Sequence, residues 1–410
     1  TLYPLALEAL TGAKISVGAP FFNLTFGPLF VALMFAMPFG PLLAWKRGDL
    51  LGVAQRLMTA FAVGLVAVAT AFAIKGGVSV LAPFGVGLAF YVMAGAVVDL
   101  VERTGLMRRL QPHGYGFYLY GPKADPYLRR RWREPYPAQD LQALAGFAGA
   151  CRDAGVAFGV GLSPFELHLD VTAQGKAALA DKLAALDDAD CQWLAIFFDD
   201  MKGDLADLAA RQAGIVAFCA ERTRARRLIV APSYYTDDPV LDRVFGQRPA
   251  NYLRDLGAAL DPAIDLMWTG EEVCARELSV GHLDRVAEEM GRKPFIWDNY
   301  PVNDGPRMSR HLHLRAFTGR PAAIGAHIAA HAVNPASQAT LSAVPMLTLA
   351  ASYAQGPDYA YGRAFREAAE AVCGPDLAAR LLADLLTLDD AGLDGMSDEG
   401  RAKLLERYAA

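Results

Sequence analysis

The chain has 410 residues with 39 basic and 44 acidic side chains, a net charge of −5, and 53% hydrophobic residues. That length suits one large barrel with an appendage, and the lack of a basic stripe excludes a nucleic-acid-binding protein. The averages hide a split: residues 1–106 hold six Lys/Arg and four Asp/Glu, which leaves 33 basic and 40 acidic residues, a net of −7, over 107–410.

The chain opens on Thr1, so further sequence is expected before it. Three stretches in the first hundred residues carry no charge: Ile15–Trp45, Leu57–Ile74 and Gly76–Val98. A membrane-spanning helix needs ~20 mostly apolar residues, and an amphipathic core helix would interrupt such runs with polar positions. Residues 1–105 are therefore expected to form an apolar, membrane-like helical segment, inserting through residues 15–98. Lys46, Arg47 and Arg56 separate the first two stretches and Arg103, Arg108 and Arg109 follow the third, with only Lys75 on the other side. The positive-inside rule then puts everything after the third stretch on the cytoplasmic side of a membrane. If the segment were foreign to the natural gene, the location would be cytoplasmic.

The wording of this region, Thr1-Leu2-Tyr3-Pro4-Leu5, Lys14-Ile15-Ser16-Val17-Gly18-Ala19-Pro20-Phe21-Phe22-Asn23 and Pro38-Phe39-Gly40-Pro41-Leu42-Leu43-Ala44-Trp45, resembles the cytochrome c-type biogenesis (CcmF) haem-lyase family. The likeness covers residues 1 to about 105. Residues 1–106 contain no histidine, so haem chemistry is not expected, and no cofactor is assigned.

After residue 107 short apolar runs alternate with amphipathic ones. Strands are read near Tyr115–Tyr120, Val156–Leu162, Trp193–Phe198, Leu228–Pro232, Ile264–Trp268, Pro294–Trp297 and Ile324–His327. Helices such as Gln139–Ala154, Gly175–Leu186, Leu205–Glu221 and Val280–Met290 fall between them. This rhythm predicts an α/β protein, a (β/α)8 TIM-type barrel over 106–355, one unit short of eight. Residues 356–410 read as a helical appendage.

Barrel active sites lie at the carboxyl ends of the strands. Gly121-Pro122-Lys123, Asp199-Asp200, Ser233-Tyr234-Tyr235, Trp268-Thr269-Gly270 and Trp297-Asp298-Asn299 all fall there. An Asp-Asp pair after a strand is more often a helix cap than a catalytic pair. Five polar strand ends in order shift the reading towards catalysis.

Tyr118-Leu119-Tyr120-Gly121-Pro122-Lys123-Ala124-Asp125-Pro126 and Trp132-Arg133-Glu134-Pro135-Tyr136 resemble the opening of glycoside hydrolase family 84, the β-N-acetylglucosaminidases that include O-GlcNAcases. Phe197-Phe198-Asp199-Asp200-Met201, Trp268-Thr269-Gly270, Trp297-Asp298-Asn299-Tyr300-Pro301-Val302-Asn303-Asp304 and Asn334-Pro335 continue the likeness, which runs from about Glu102 to Tyr353. It implies hydrolysis of terminal or O-linked N-acetylglucosamine by a substrate-assisted, retaining route through an oxazoline. The implied partner is a glycoprotein or glycan bearing that sugar. Asp199 would polarise the acetamide N–H, and Asp200 would act as general acid and then base. Two carboxylates so close should not both ionise easily, so one pKa should rise. Lys123, Asn299, Asp304 and Asn334 would contact the sugar, while Tyr235 and Trp297 would line the acetamide pocket. Asp298, between two matched residues, would orient them.

The family's opening strand with Glu-Gly-Phe-Tyr-Gly has no counterpart. Leu88-Ala89-Phe90-Tyr91-Val92 keep only its aromatic pair, so the first strand is missing or degenerate and the chain reads as a fusion with its junction near 99–106. The alternative function is a non-catalytic membrane fusion protein with a relic sugar-binding barrel. His311-x-His313 and His327-x3-His331 have metal-like spacing but lack companion ligands, so no metal is assigned. The five cysteines form no C-x-x-C pair and read as mostly buried thiols of a reducing compartment.

Overall fold

The structure is a computed structural model, and it describes residues 31–39, 54, 57–75, 81–392 and 395–409. The chain divides into two compact units, residues 1–103 and 104–410.

In the first unit, α1 (Met58–Lys75) and the first part of α2 (Leu81–Leu110) come together at glycines. A Cβ at Gly87 would sit 2.2 Å from Val68 Cγ2, so the approach requires the missing side chain. Tyr91 stacks on Phe61 with ring centroids 4.7 Å apart and on Phe35 at 5.5 Å. Large apolar side chains such as Leu65, Val66, Ile74 and Phe84 remain exposed.

The expected membrane spans are corrected here. Among the described residues, no helix is long and apolar enough to cross a membrane. The 18 residues of α1 span roughly 27 Å, short of the ~30 Å hydrocarbon layer. The longer α2 carries Asp99, Glu102 and Arg103 within it. Most of the stretch Ile15–Trp45 lies outside the described residues. Leu88–Val92, the candidate remnant of a barrel strand, is helical and belongs to α2.

The second unit is built on a curled sheet of seven parallel strands in chain order. They are β1 (Phe117–Tyr120), β2 (Ala157–Leu162), β3 (Trp193–Phe197), β4 (Arg227–Ala231), β5 (Asp265–Trp268), β6 (Phe295–Asp298) and β7 (Ala330–Val333). The registers Phe117↔Ala157, Gly159↔Trp193, Trp193↔Arg227 and Phe295↔Ala330 bring the strand ends to one side. Parallel pairing requires crossovers, and the first three are α3 (Ala138–Asp153), α4 (Ala173–Asp188) and α5 (Leu208–Ala220). Further along, α6 (Tyr252–Ala259) precedes β5 and α7 (Val280–Met290) precedes β6. Thr172 and Ser279 cap α4 and α7 by accepting from Gly175 N and His282 N.

The sheet encloses one apolar cluster: Ala195, Ile229, Ala231, Met267 and Phe295, with Phe117, Leu119, Trp193, Phe197, Trp297, Ala330 and Ala332 packed on it. Every strand but β2 contributes to that cluster. Phe117 of β1 lies 5.6 Å from Phe295 of β6, ring centre to ring centre, so the sheet curls on itself. Its two ends are β1 and β7, and the described residues contain no eighth strand.

One expected strand is displaced. Ile324–His327 is not extended: Ala322–Ala326 is a 3-10 turn whose Ile324 packs outside the sheet with Ala275, Leu278, Leu283 and Ile296. The strand is instead Ala330–Val333, where two alanines thin the apolar signal. The helices after β7 share one core with the end of α2. Leu106 and Leu110 pack with Val344 and Leu347 of α8 (Ala339–Gln355), Phe365 of α9 (Tyr361–Cys373) and Leu381 of α10 (Pro375–Leu386). α9 and α10 belong to the same compact unit as the sheet.

Candidate active site

Asp199 and Asp200 lie one residue beyond the end of β3, at the carboxyl end of the sheet. Asp199 is buried at 1% exposure. Lys123, from the loop after β1, places its ammonium 3.4 Å from Asp199 Oδ2 and also pairs with Asp200 Oδ2. Tyr235, from the loop after β4, donates its hydroxyl to Asp200 Oδ1 at 3.4 Å. Residues distant in sequence thus converge on adjacent carboxylates. Asp200 itself adopts φ 54°, the left-handed region that non-glycine residues occupy at a cost.

Electrostatics separate the groups. Burial pushes the Asp199 carboxyl above its ordinary value, and Asp200 adds to this while Lys123 and Arg129 oppose it. For Lys123, burial disfavours the ammonium, but the two carboxylates outweigh that and hold its pKa above the usual value. The Tyr235 hydroxyl is pushed up by burial and by both carboxylates, so it stays a donor. The expected rise would serve the general acid, and it falls instead on Asp199, the residue assigned to the acetamide.

The walls are aromatic and the floor is glycine. Trp297, in β6, packs against Tyr235 with centroids 5.2 Å apart and stacks on Phe197 at 6.4 Å. Phe197 crosses the space above Gly161 and Gly121, where added Cβ atoms would lie 2.2 and 2.7 Å from its Cε2. The cleft between these groups is lined by Lys123, Arg129, Ser163, Phe197, Asp199 and Trp297.

Asn299 and Asn334 meet at the ends of β6 and β7: Asn334 Nδ2 donates to Asn299 Oδ1 at 3.0 Å, and Asn299 Nδ2 donates to Val273 O at 2.8 Å. Asp304 is exposed before the short helix Gly305–Met308 and makes no side-chain cap bond. No hydrogen bond among the described residues ties it to the carboxylates.

Sequence reasoning missed Arg129. Its guanidinium is buried behind Asp199, 3.7 Å from Oδ1, and donates to Asp199 O at 3.3 Å and Ser163 Oγ at 3.2 Å. It lies in Arg129-Arg130-Arg131-Trp132-Arg133, a charge run that reads as a solvated face. Asp298 is an anchor beside the site, accepting two bonds of 2.8 Å from Arg320 and one of 3.1 Å from His331. Trp-Thr-Gly at 268–270 supports from behind: Trp268 is fully buried on His282, and Thr269 N donates to Tyr235 O at 2.9 Å. Of the histidine pairs, His331 bonds Asp298 and Tyr353, His327 bonds Asp284, and His311 faces Asp389 O.

Comparisons with known proteins divide along the chain. The profile of a β-N-acetylglucosaminidase family matches residues 94–385. The Protein O-GlcNAcase of Mus musculus is 28% identical over 264 residues, 62% of this chain and 28% of that protein. A mutant of the Thermobaculum terrenum O-GlcNAc hydrolase superposes with a TM-score of 0.63 at 26% identity, covering 76% of this chain and 69% of that one. The N-terminal part is similar to a different protein, the cytochrome c-type biogenesis protein CycK of Bradyrhizobium diazoefficiens. That match is 65% identical over 108 residues, 26% of this chain and 16% of CycK. The chain therefore spans about a quarter of the O-GlcNAcase and about a sixth of CycK.

Proposed function

This chain belongs to the β-N-acetylglucosaminidase family, and we propose that it hydrolyses terminal or O-linked N-acetylglucosamine, with the substrate's own acetamide as nucleophile. The observation that carries this reading is the convergence at the cleft of a buried Asp199 with Asp200, where Lys123 lies 3.4 Å from Asp199 Oδ2 and Tyr235 donates to Asp200 Oδ1. An acetamide N–H entering the cleft would be held by the Asp199 carboxylate.

In the first step the acetamide oxygen bonds to the anomeric carbon while the bond to the leaving oxygen breaks. Asp200 donates its proton to that oxygen. The oxazolinium ion so formed carries its charge on the N–H side, against Asp199. In the second step Asp200, now a carboxylate, takes a proton from water as the water attacks the anomeric carbon and the bond from that carbon to the acetamide oxygen breaks. Two inversions leave the configuration retained. The Trp297 and Tyr235 rings wall the acetamide, and Lys123, Asn299 and Asn334 offer donors and acceptors to sugar hydroxyls. Asp304, exposed on the loop after β6, is assigned the same role. Glycoproteins and glycans carrying N-acetylglucosamine are the substrates this reading implies.

The test is turnover of an aryl β-N-acetylglucosaminide against the matching aryl β-glucoside, which lacks the acetamide. Cleavage of the first and not the second is expected. Cleavage of both alike, or of neither by folded protein, would refute the reading.

A further inference from the structure

We propose that Arg129 is a positioning residue of this site, gripping Asp199 from its buried side at both the carboxylate and the peptide carbonyl. The proposal rests on the glycosidase reading above. Two cations flank Asp199, and they differ in freedom. The Lys123 side chain is 49% exposed and shared with Asp200, so a sugar hydroxyl can draw it away. The Arg129 side chain is 11% exposed and held by Ser163 Oγ and Asp199 O. Arginine also stays charged throughout the working pH range. Once substrate engages Lys123, Arg129 is the cation left to keep Asp199 a carboxylate that accepts the acetamide N–H.

The bond to Asp199 O has a second consequence. That carbonyl belongs to the peptide leading into Asp200, whose φ of 54° needs outside support. Holding it fixes the direction in which Asp200 leaves the chain. Arg129 is itself held in place. Its N–H donates to Pro126 O at 3.2 Å, Asp125 accepts from Tyr127 N at 2.9 Å, and Ser163 N donates to Leu128 O at 2.8 Å. The Phe165 ring lies 5.3 Å from the guanidinium carbon.

The groups facing Asp199 are Lys123, Arg129, Asp200 and Tyr235. The test follows the Asp199 carboxyl by carbon-13 NMR of aspartate-labelled protein, its signal assigned by loss in Asp199→Asn. Arg129→Gln should move the titration of Asp199 upward by about one pH unit or more, whereas Arg129→Lys should hold it near wild type. Turnover of the aryl N-acetylglucosaminide by Arg129→Lys should still fall about tenfold, because one ammonium cannot reach both the carbonyl and Ser163 as a guanidinium fork does. An unmoved titration in natively folded Arg129→Gln would overturn the proposal. So would wild-type turnover in Arg129→Lys, which decides the matter if the glutamine variant does not fold. The titration needs no substrate, so a failure of the glycosidase reading shows separately, as absent turnover in the wild type.

Discussion

The ring of Phe197 lies nearly parallel to that of Trp297, their centroids 6.4 Å apart and their planes 9° from alignment. Phe197 ends β3, two residues before Asp199, and Trp297 lies in β6, so this contact joins the acid-bearing strand to the opposite wall. The ring can lie there because Gly161 and Gly121 have no side chain to meet it.

Gly161→Ala is therefore expected to drive Phe197 off its position. Overpacking of this kind costs ~1–3 kcal/mol, and the displaced ring should disturb Trp297 and lower kcat/KM. Phe197→Leu in the same chain should return part of the loss. Denaturant unfolding and kinetics on the single and double variants check both statements, and simple additivity would show that the two residues do not compete for the space.

In the proposed mechanism Asp200→Asn removes the general acid. A loss of ~10²- to 10⁴-fold is expected on substrates with poor leaving groups, and a smaller one where the leaving aryloxide needs no proton. A series of aryl N-acetylglucosaminides of graded leaving-group acidity measures the difference. Equal losses across the series would remove Asp200 from that role.

The raised carboxyl of Asp199 has a consequence for stability. The native state holds that proton more firmly than the unfolded chain does, so its contribution is fully present below the unfolded value of ~3.9. It is lost as pH rises through the higher folded value. Asp199→Asn, which keeps the shape without the charge, is expected to be inactive and more stable than wild type near pH 7, with the difference vanishing at low pH. Urea unfolding from pH 3 to pH 8 reads this directly.

Asp298 should behave with the opposite sign. Burial pushes its carboxyl up, but Arg320 and His331 more than offset it, leaving the group below its ordinary range. Its stabilisation is present above the unfolded value of ~3.9 and is lost as pH falls through the lowered folded one. Asp298→Asn leaves Arg320 buried without its partner, and ~3–5 kcal/mol of destabilisation at neutral pH is expected. The same unfolding series on this variant checks both size and pH dependence.

How far the site was legible follows from what each residue must do. Lys123, Asp199, Tyr235 and Trp297 stand at strand ends, and the strands announce themselves by apolar runs, so their convergence could be read before any coordinates. Arg129 could not, because burial of one guanidinium in a run of four arginines is a tertiary fact with no local mark. Ile324 misled for a related reason: an apolar residue packs as well on the outside of a sheet as within it, whereas Ala330 and Ala332 signal little. In the first hundred residues the uncharged runs read as spans, yet α1 is 18 residues long and α2 carries charge in its second half.

The central claim is that an acetamide held by Asp199 does the nucleophilic work. Aryl glycosides whose N-acyl group carries zero, one, two or three fluorines test it most directly, since each fluorine makes the carbonyl oxygen a poorer nucleophile. A steep, monotonic fall in kcat/KM along that series is the predicted result. A flat series would mean that the sugar's own carbonyl takes no part in breaking the bond.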